Sequence, residues 1–149
     1  VAGGNKRIII RPLRERELDD MVRLWKVAGL SYKPRGRDRM ALLEAQRRRH
    51  PELFIGAFAG RELVGAAIAS DDGRKAWINR LAVHPDHRRS GLALAMIDHC
   101  ERLFRRSGRG IFCVHIEKGN SASMRLFRKA GYHREHDIFY YTKRVSEDY

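Results

Sequence analysis

Apolar residues in this chain recur at two periods, two for strands and about 3.6 for helices. The switches between these periods lay out the elements. Ile8-Ile9-Ile10 centres a strand over 7–13 that Pro12 ends. Leu18, Met21, Val22, Trp25 and Ala28 fall at helical spacing, and Gly29 closes that helix. Ser31 to Asp38, SYKPRGRD, mixes Pro and Gly with charge and reads as a loop. A second helix, mostly facing water, is predicted over 39–50 and stops before Pro51. Segments 53–59 and 63–70 read as a hairpin turning at Ala59-Gly60-Arg61-Glu62. Asp71-Asp72-Gly73 then leads into a strand over 77–83. Leu92, Met96, Cys100 and Leu103 line one stripe of a third helix that Gly108 and Gly110 end, with Ala93, Ile97 and Phe104 beside it. A strand over 111–117 and a helix over 120–129 follow, with Gly131 as a left-handed cap; two terminal strands are predicted over 132–134 and 138–144. The order predicts a mixed sheet with helices on both faces, one domain over 1–149. The unit from 77 to 117 is expected to be a right-handed crossover between parallel strands.

Residues 81–95, LAVHPDHRRSGLALA, carry the most chemistry. A strand feeding a Gly-containing turn and then a helix leaves backbone N–H groups unpaired at the helix start. Those donors and the positive end of the helix dipole suit a phosphate or pyrophosphate. Arg88 and Arg89 add fixed positive charge, and Gly91 lets a diphosphate approach the backbone. Neither GxxxxGK[ST] nor GxGxxG occurs, which disfavours a P-loop nucleotidase and a Rossmann dinucleotide site.

Arg88-Arg89-Ser90-Gly91-Leu92-Ala93 fits Arg/Gln-x-x-Gly-x-Gly/Ala, and the chain from Asn120 to Tyr132, NSASMRLFRKAGY, fits Asn-x-x-Ala/Ser-x-x-Leu-Tyr/Phe-x-x-x-Gly-Phe/Tyr. In this order and spacing the two resemble the signatures of the GNAT acyltransferase superfamily, and the likeness runs over roughly 7–144. The resemblance implies an α/β (α+β) fold with a mixed, mostly antiparallel sheet of six to seven strands and a central parallel βαβ crossover. It implies acetyl-CoA as co-substrate, with its pyrophosphate on the N–H groups of Arg89, Ser90, Gly91, Leu92, Ala93 and Leu94. The main chain of Leu81, Ala82 and Val83 would pair with the pantetheine arm where two strands splay. An N–H there would polarise the thioester carbonyl, an effect that can be worth about 3 kcal/mol. Asn120 would face the cofactor or the acyl end, with Ser123 one turn on; a plain N-cap is the simpler role for Asn120. Many family members carry at the position of Phe127 a Tyr that protonates the departing thiolate. Phe127 has no proton to give, and is expected to pack against the pantetheine.

An amine must lose a proton before it attacks. Strand alternation puts Cys113, His115 and Glu117 on one face and Phe112, Val114 and Ile116 on the other. His115 and Glu117 are therefore the catalytic candidates, and His115 stands where some family members carry a catalytic Glu. The bland alternative is a structural histidine beside an ion-paired Glu117. Asn79, Arg80, Tyr140 and Tyr141 are candidates to line the same cleft.

Composition changes this picture little. A hydrophobic fraction of 43% suits a globular domain. Thirty-one Lys and Arg against eighteen Asp and Glu leave a net charge of +13, which favours anionic partners or simply solubilises the surface. No apolar run is long enough to cross a membrane and no leader pattern is evident, so a cytoplasmic protein without membrane partners is expected. Cys100 and Cys113 lack metal-ligand spacing, and no metal is expected. Residues 1–5 are read as taking no part in the fold.

The sequence thus predicts acetyl transfer from acetyl-CoA to a primary amine by direct attack while both are bound. The alternative is a catalytically weak module of the same fold that meets nucleic acid through its basic surface. A homodimer is open on either reading.

Overall fold

Strand β1 (Ile8–Pro12) starts the described part of the chain, which in this computed structural model is residues 6–149; the expectation for 1–5 lies outside it. Helices α1 (Leu18–Ala28) and α2 (Met40–Arg49) follow, then the hairpin β2 (Phe54–Ala59) and β3 (Glu62–Asp71). Strand β4 (Ala76–Val83), helix α3 (Leu92–Arg106), strand β5 (Phe112–Val114) and helix α4 (Ser121–Lys129) complete the order. The sheet runs β1-β2-β3-β4-β5, antiparallel except for the parallel pair β4–β5.

Two apolar layers cover the two faces of the sheet. On one face α1 buries Leu18, Met21, Val22, Leu24 and Trp25 against Phe54, Phe58, Ala66 and Ile68. On the other, α3 buries Leu92, Met96, Ile97, Cys100 and Phe104 against Ile55, Ala57, Ala67 and Ile78, with Phe127 of α4 beside them. Each such side chain taken from water is worth about 1.5–3 kcal/mol. Strand β3 contributes to both layers, so Leu63 to Ala69 is buried throughout. Gly29 ends α1 in the left-handed conformation, as its place in the pattern predicts.

One irregularity fixes the site. Ile68 pairs with Arg80 but Ala69 pairs with Ile78, so Asn79 is an extra residue in β4. The bulge reverses which residues face which layer. Ala76 and Ile78 belong to the α3 layer, and beyond the bulge Leu81 and Val83 do so, while Ala82 joins the α1 layer. Pairing with β5 stops at the same place, its last partners being Ile78 and Val114.

Fold class and helix placement match the sequence expectation, but three expectations need correction. Five strands form among the described residues, not six to seven. Strand β5 spans Phe112–Val114 rather than 111–117. The terminal strands over 132–134 and 138–144 do not form, which leaves the parallel crossover at the sheet edge instead of its centre. A strand needs a partner edge and a covered face more than it needs propensity. Ile138, Phe139, Tyr140 and Tyr141 have β-forming side chains but are 68–88% exposed, with no helix packed over them.

Candidate active site

The turn between β4 and α3 starts with the single 3₁₀ turn Pro85–His87, held by the His87 N–H on the His84 carbonyl at 2.9 Å. Arg88 donates to the carbonyl of Ala28 at 3.2 Å, tying the turn to the end of α1. Arg89 and Gly91 then take positive φ, +60° and +81°. For Arg89 this left-handed backbone costs about 1–2 kcal/mol, and strain of this kind persists only where the surroundings enforce it. Around Gly91 a Cβ would meet nothing within 4 Å, so the backbone angle, not crowding, asks for glycine.

The first internal bond of α3 runs from the Ala95 N–H to the Gly91 carbonyl at 3.0 Å. Among the described residues the N–H groups of Arg89, Ser90, Gly91, Leu92, Ala93 and Leu94 find no acceptor, while the Ser90 hydroxyl is spent on the His87 carbonyl at 2.6 Å. Consecutive open amides at the positive end of a 15-residue helix, with the exposed Arg88 and Arg89 beside them, make a site for a multiply charged anion. A cleft of about 450 Å³ lined by His50, Asp71, Phe104 and Arg109 lies at the opposite end of α3. Backbone donors, not cavity volume, mark the site.

From Asn79 to Val83, β4 keeps β3 on one edge and, among the described residues, has no strand on the other. The His84 N–H on the Val64 carbonyl sets the alternation: Ala82 turns its N–H and C=O to β3, contrary to expectation, and those of Leu81 and Val83 are free to pair with an extended polar ligand. Across the opening, Asn120 caps α4 by accepting the Ser123 N–H at 3.1 Å, so the simpler role holds for its side chain. Phe127 is 4% exposed and meets Tyr132 edge-on at 5.1 Å, its ring given to the core. Tyr132 donates its hydroxyl to Glu101 at 3.2 Å, and burial, then Glu101, pushes its pKa up. Phe127 has no proton to give, and that of the Tyr132 hydroxyl is engaged by Glu101.

On the α1 face, the His115 imidazole lies between two aromatic rings, 4.8 Å from Trp77 and 4.4 Å from Tyr140. Strand alternation holds: Phe112, Val114 and Ile116 pack on the α3 layer while His115 is exposed on the other side. Glu117 is exposed beyond the end of β5 and, among the described residues, enters no ion pair; its carbonyl accepts the Asn120 N–H at 3.1 Å. Trp77 was not among the candidates. The sequence alone does not mark it: its place beside His115 follows from the parallel pairing of Trp77 with Cys113, two residues before His115.

Tyr140 reaches His115 not from a hairpin but from a chain segment that crosses to the loop between α1 and α2. There Arg35 pairs with Asp148 at 3.3 Å and the Lys33 ammonium donates to the Glu147 carbonyl at 3.1 Å. A Cβ on Gly36 would lie 1.8 Å from the Asp148 carbonyl oxygen, so only glycine permits this approach. Arg80 lies on this face too, its guanidinium 4.1 Å above the Trp25 ring.

No group of three or more His, Cys, Asp or Glu able to hold a metal is found among the described residues, and no helix there is long and apolar enough to cross a membrane. Burial pushes the Cys100 thiol up to about 12, and burial also raises that of Cys113.

Known acetyltransferases share this fold. An acetyltransferase of Sodalis glossinidius (strain morsitans), SG1711, is 27% identical over 139 residues, covering 93% of this chain and 96% of its own. The aminoglycoside acetyltransferase AAC(6')-Iy, solved with the bisubstrate analogue CoA-S-monomethyl-acetylneamine, superposes with a TM-score of 0.76 at 18% identity, over 93% of this chain and 99% of its own. The PaiA N-acetyltransferase of Thermoplasma acidophilum, solved with coenzyme A, gives 0.69 at 20% identity, over 83% and 88%. The family model of the acetyltransferase (GNAT) family matches residues 17–132, from the N-cap of α1 to Tyr132 beyond α4. The chain belongs to the acetyltransferase (GNAT) family.

Proposed function

We propose that this protein is an N-acetyltransferase that moves an acetyl group from acetyl-CoA to a primary amine by direct attack, both substrates being bound together. The observation that carries the reading is the run of open N–H groups from Arg89 to Leu94, at the end of a strand that has lost its neighbour. These amides hold the diphosphate, and Arg88 and Arg89 add charge to the mouth. The free edge of β4 receives the amide-bearing arm, which supplies the thioester carbonyl. A β4 N–H near the bulge at Asn79 polarises that carbonyl; one such donor contributes about 3 kcal/mol.

His115 accepts the amine proton, directly or through water, with Trp77 and Tyr140 fixing the plane of its ring. Glu117, two residues on, adds negative charge near the incoming ammonium. With no proton on Phe127 and that of Tyr132 engaged by Glu101, coenzyme A leaves as the thiolate, which an ordinary thiol pKa of about 8.5 allows. The acetyltransferase relatives and the coenzyme A complexes of similar folds support this reading.

The test is release of free thiol from acetyl-CoA over a panel of amines, with Gly91→Glu as the control. Wild type is expected to turn over at least one amine, and Gly91→Glu to lose acetyl-CoA binding through bulk and negative charge at the cradle. Unchanged affinity in Gly91→Glu would refute the placement.

A further inference from the structure

Arg80 is the one residue of the open part of β4 whose side chain carries a full charge, and the fold half-buries that charge without an anion to meet it. Its guanidinium carbon lies 4.1 Å over the ring of Trp25, which is fully buried, and one terminal nitrogen donates to the Ser31 carbonyl. Its Nε is buried and has no hydrogen-bond partner among the described residues. Among the described residues no carboxylate lies within 4.0 Å of it. Asp38 attracts it from further off but is committed elsewhere, accepting the Lys33 N–H at 2.8 Å and lying 3.9 Å from Arg37. Burial accordingly pulls the pKa of Arg80 down. A desolvated guanidinium short of partners is costly, and a bidentate carboxylate is the group its planar fork fits best.

Position gives this cost a use. The bulge at Asn79 turns Arg80 to the α1 face, the face that also carries Trp77 and His115. The adjoining loop supplies Lys33, Arg35, Arg37 and Arg39; its own acid, Asp38, is 4% exposed and Asp148 meets Arg35, which leaves the loop net positive. A polycationic acceptor would meet repulsion on this side; an anionic group would not.

We propose that Arg80 anchors an anion subsite on the acceptor side, and that the acceptor is a small amine bearing a carboxylate. This rests on the acetyl-transfer reading given above. Arg80 fixes the acceptor by its carboxylate while the amine lies toward His115. The subsite therefore sets acceptor affinity and leaves the acetyl-CoA cradle untouched.

The experiment compares amines in matched pairs, each free acid against its primary amide: glycine, β-alanine, glutamate and lysine, with neamine as the polycation. Acetyl-CoA affinity is measured alongside by calorimetry. At least one free acid is expected to exceed its amide, and neamine, by tenfold or more in kcat/KM. Arg80→Lys keeps the stem on Trp25 and the positive charge but loses the fork. It is expected to raise KM for that acid by tenfold or more, with acetyl-CoA affinity within twofold of wild type. Arg80→Gln should erase the difference between acid and amide. Equal use of both members, use of neamine or amides only, or no acetylation of any free acid by a protein that binds acetyl-CoA would overturn the subsite. Failure to bind acetyl-CoA would instead overturn the acetyl-transfer reading, and the subsite with it.

Discussion

His115 of β5's continuation stacks on Trp77 of β4 with ring centroids 4.8 Å apart, although the two lie 38 positions apart in the chain. The contact spans the last stretch over which the two strands are still paired. It holds the imidazole at the point where the cleft opens. If His115 accepts the amine proton, His115→Ala lowers kcat by about 10²–10⁴-fold and leaves acetyl-CoA affinity unchanged. Loss of the rising limb of the pH–rate profile in that variant is the specific readout. A purely structural histidine would lower thermal stability and leave the profile's shape alone.

Gly36 tests the segment that carries Tyr140. With the Asp148 carbonyl 1.8 Å from the place of a Cβ, Gly36→Ala must push the two backbones apart. Amide exchange over 140–149 should then speed up severalfold, and KM for the acceptor should change while that for acetyl-CoA does not. Unaltered exchange would show that this contact does not hold the segment in place.

Glu17 makes acid stability predictable. Its carboxylate accepts from Arg11 at 2.7 and 2.9 Å and from the Arg14 N–H at 2.8 Å. The Arg11 hydrogen bond, ahead of the Arg14 N–H, holds the carboxyl below its usual pKa. Because the folded value is depressed, the stabilisation is complete above the unfolded value of about 4.3 and fades as pH falls through the folded one. Glu17→Ala is expected to cost about 1–2 kcal/mol at pH 7. Its unfolding midpoint in urea should vary less below pH 4.3 than that of wild type, 4.3 being roughly the reference carboxylate value.

Cys113 separates direct attack from a covalent route. Burial raises its pKa, so little thiolate is present near neutrality. Cys113→Ala should retain kcat within about twofold, a change under 0.5 kcal/mol, and rapid-quench mixing should show no acetyl-enzyme burst. A burst that disappears in the variant would contradict direct transfer.

Much of this was legible before the fold was known, for a physical reason. The stripes of α1 and α3 and the buried run of β3 are local patterns whose period survives packing. The cradle was legible because a strand, a Gly turn and a helix start must leave amides open wherever they occur in this order. The bulge at Asn79 was not legible: it is a register shift against β3, and WINRLAV, with Asn79 and Arg80 side by side between apolar runs, carries no alternation from which to place it. Arg80 could therefore be named as a cleft candidate but not aimed. The segment from Ile138 onward failed for a related reason. Its side chains prefer strands, but whether an edge and a covering helix exist is decided by the rest of the molecule. Phe127 was read correctly as unable to donate, yet its burial beside Tyr132 follows from the C-terminal turn of α4, where the Tyr132 N–H meets the Phe127 carbonyl at 2.9 Å.

The amides of Arg89 to Leu94 can be watched directly. In ¹H–¹⁵N spectra of the protein titrated with coenzyme A, these six signals are predicted to move furthest, and to move much less with pantetheine, which has no diphosphate. Saturable shifts centred elsewhere, with these six unmoved, would contradict the account.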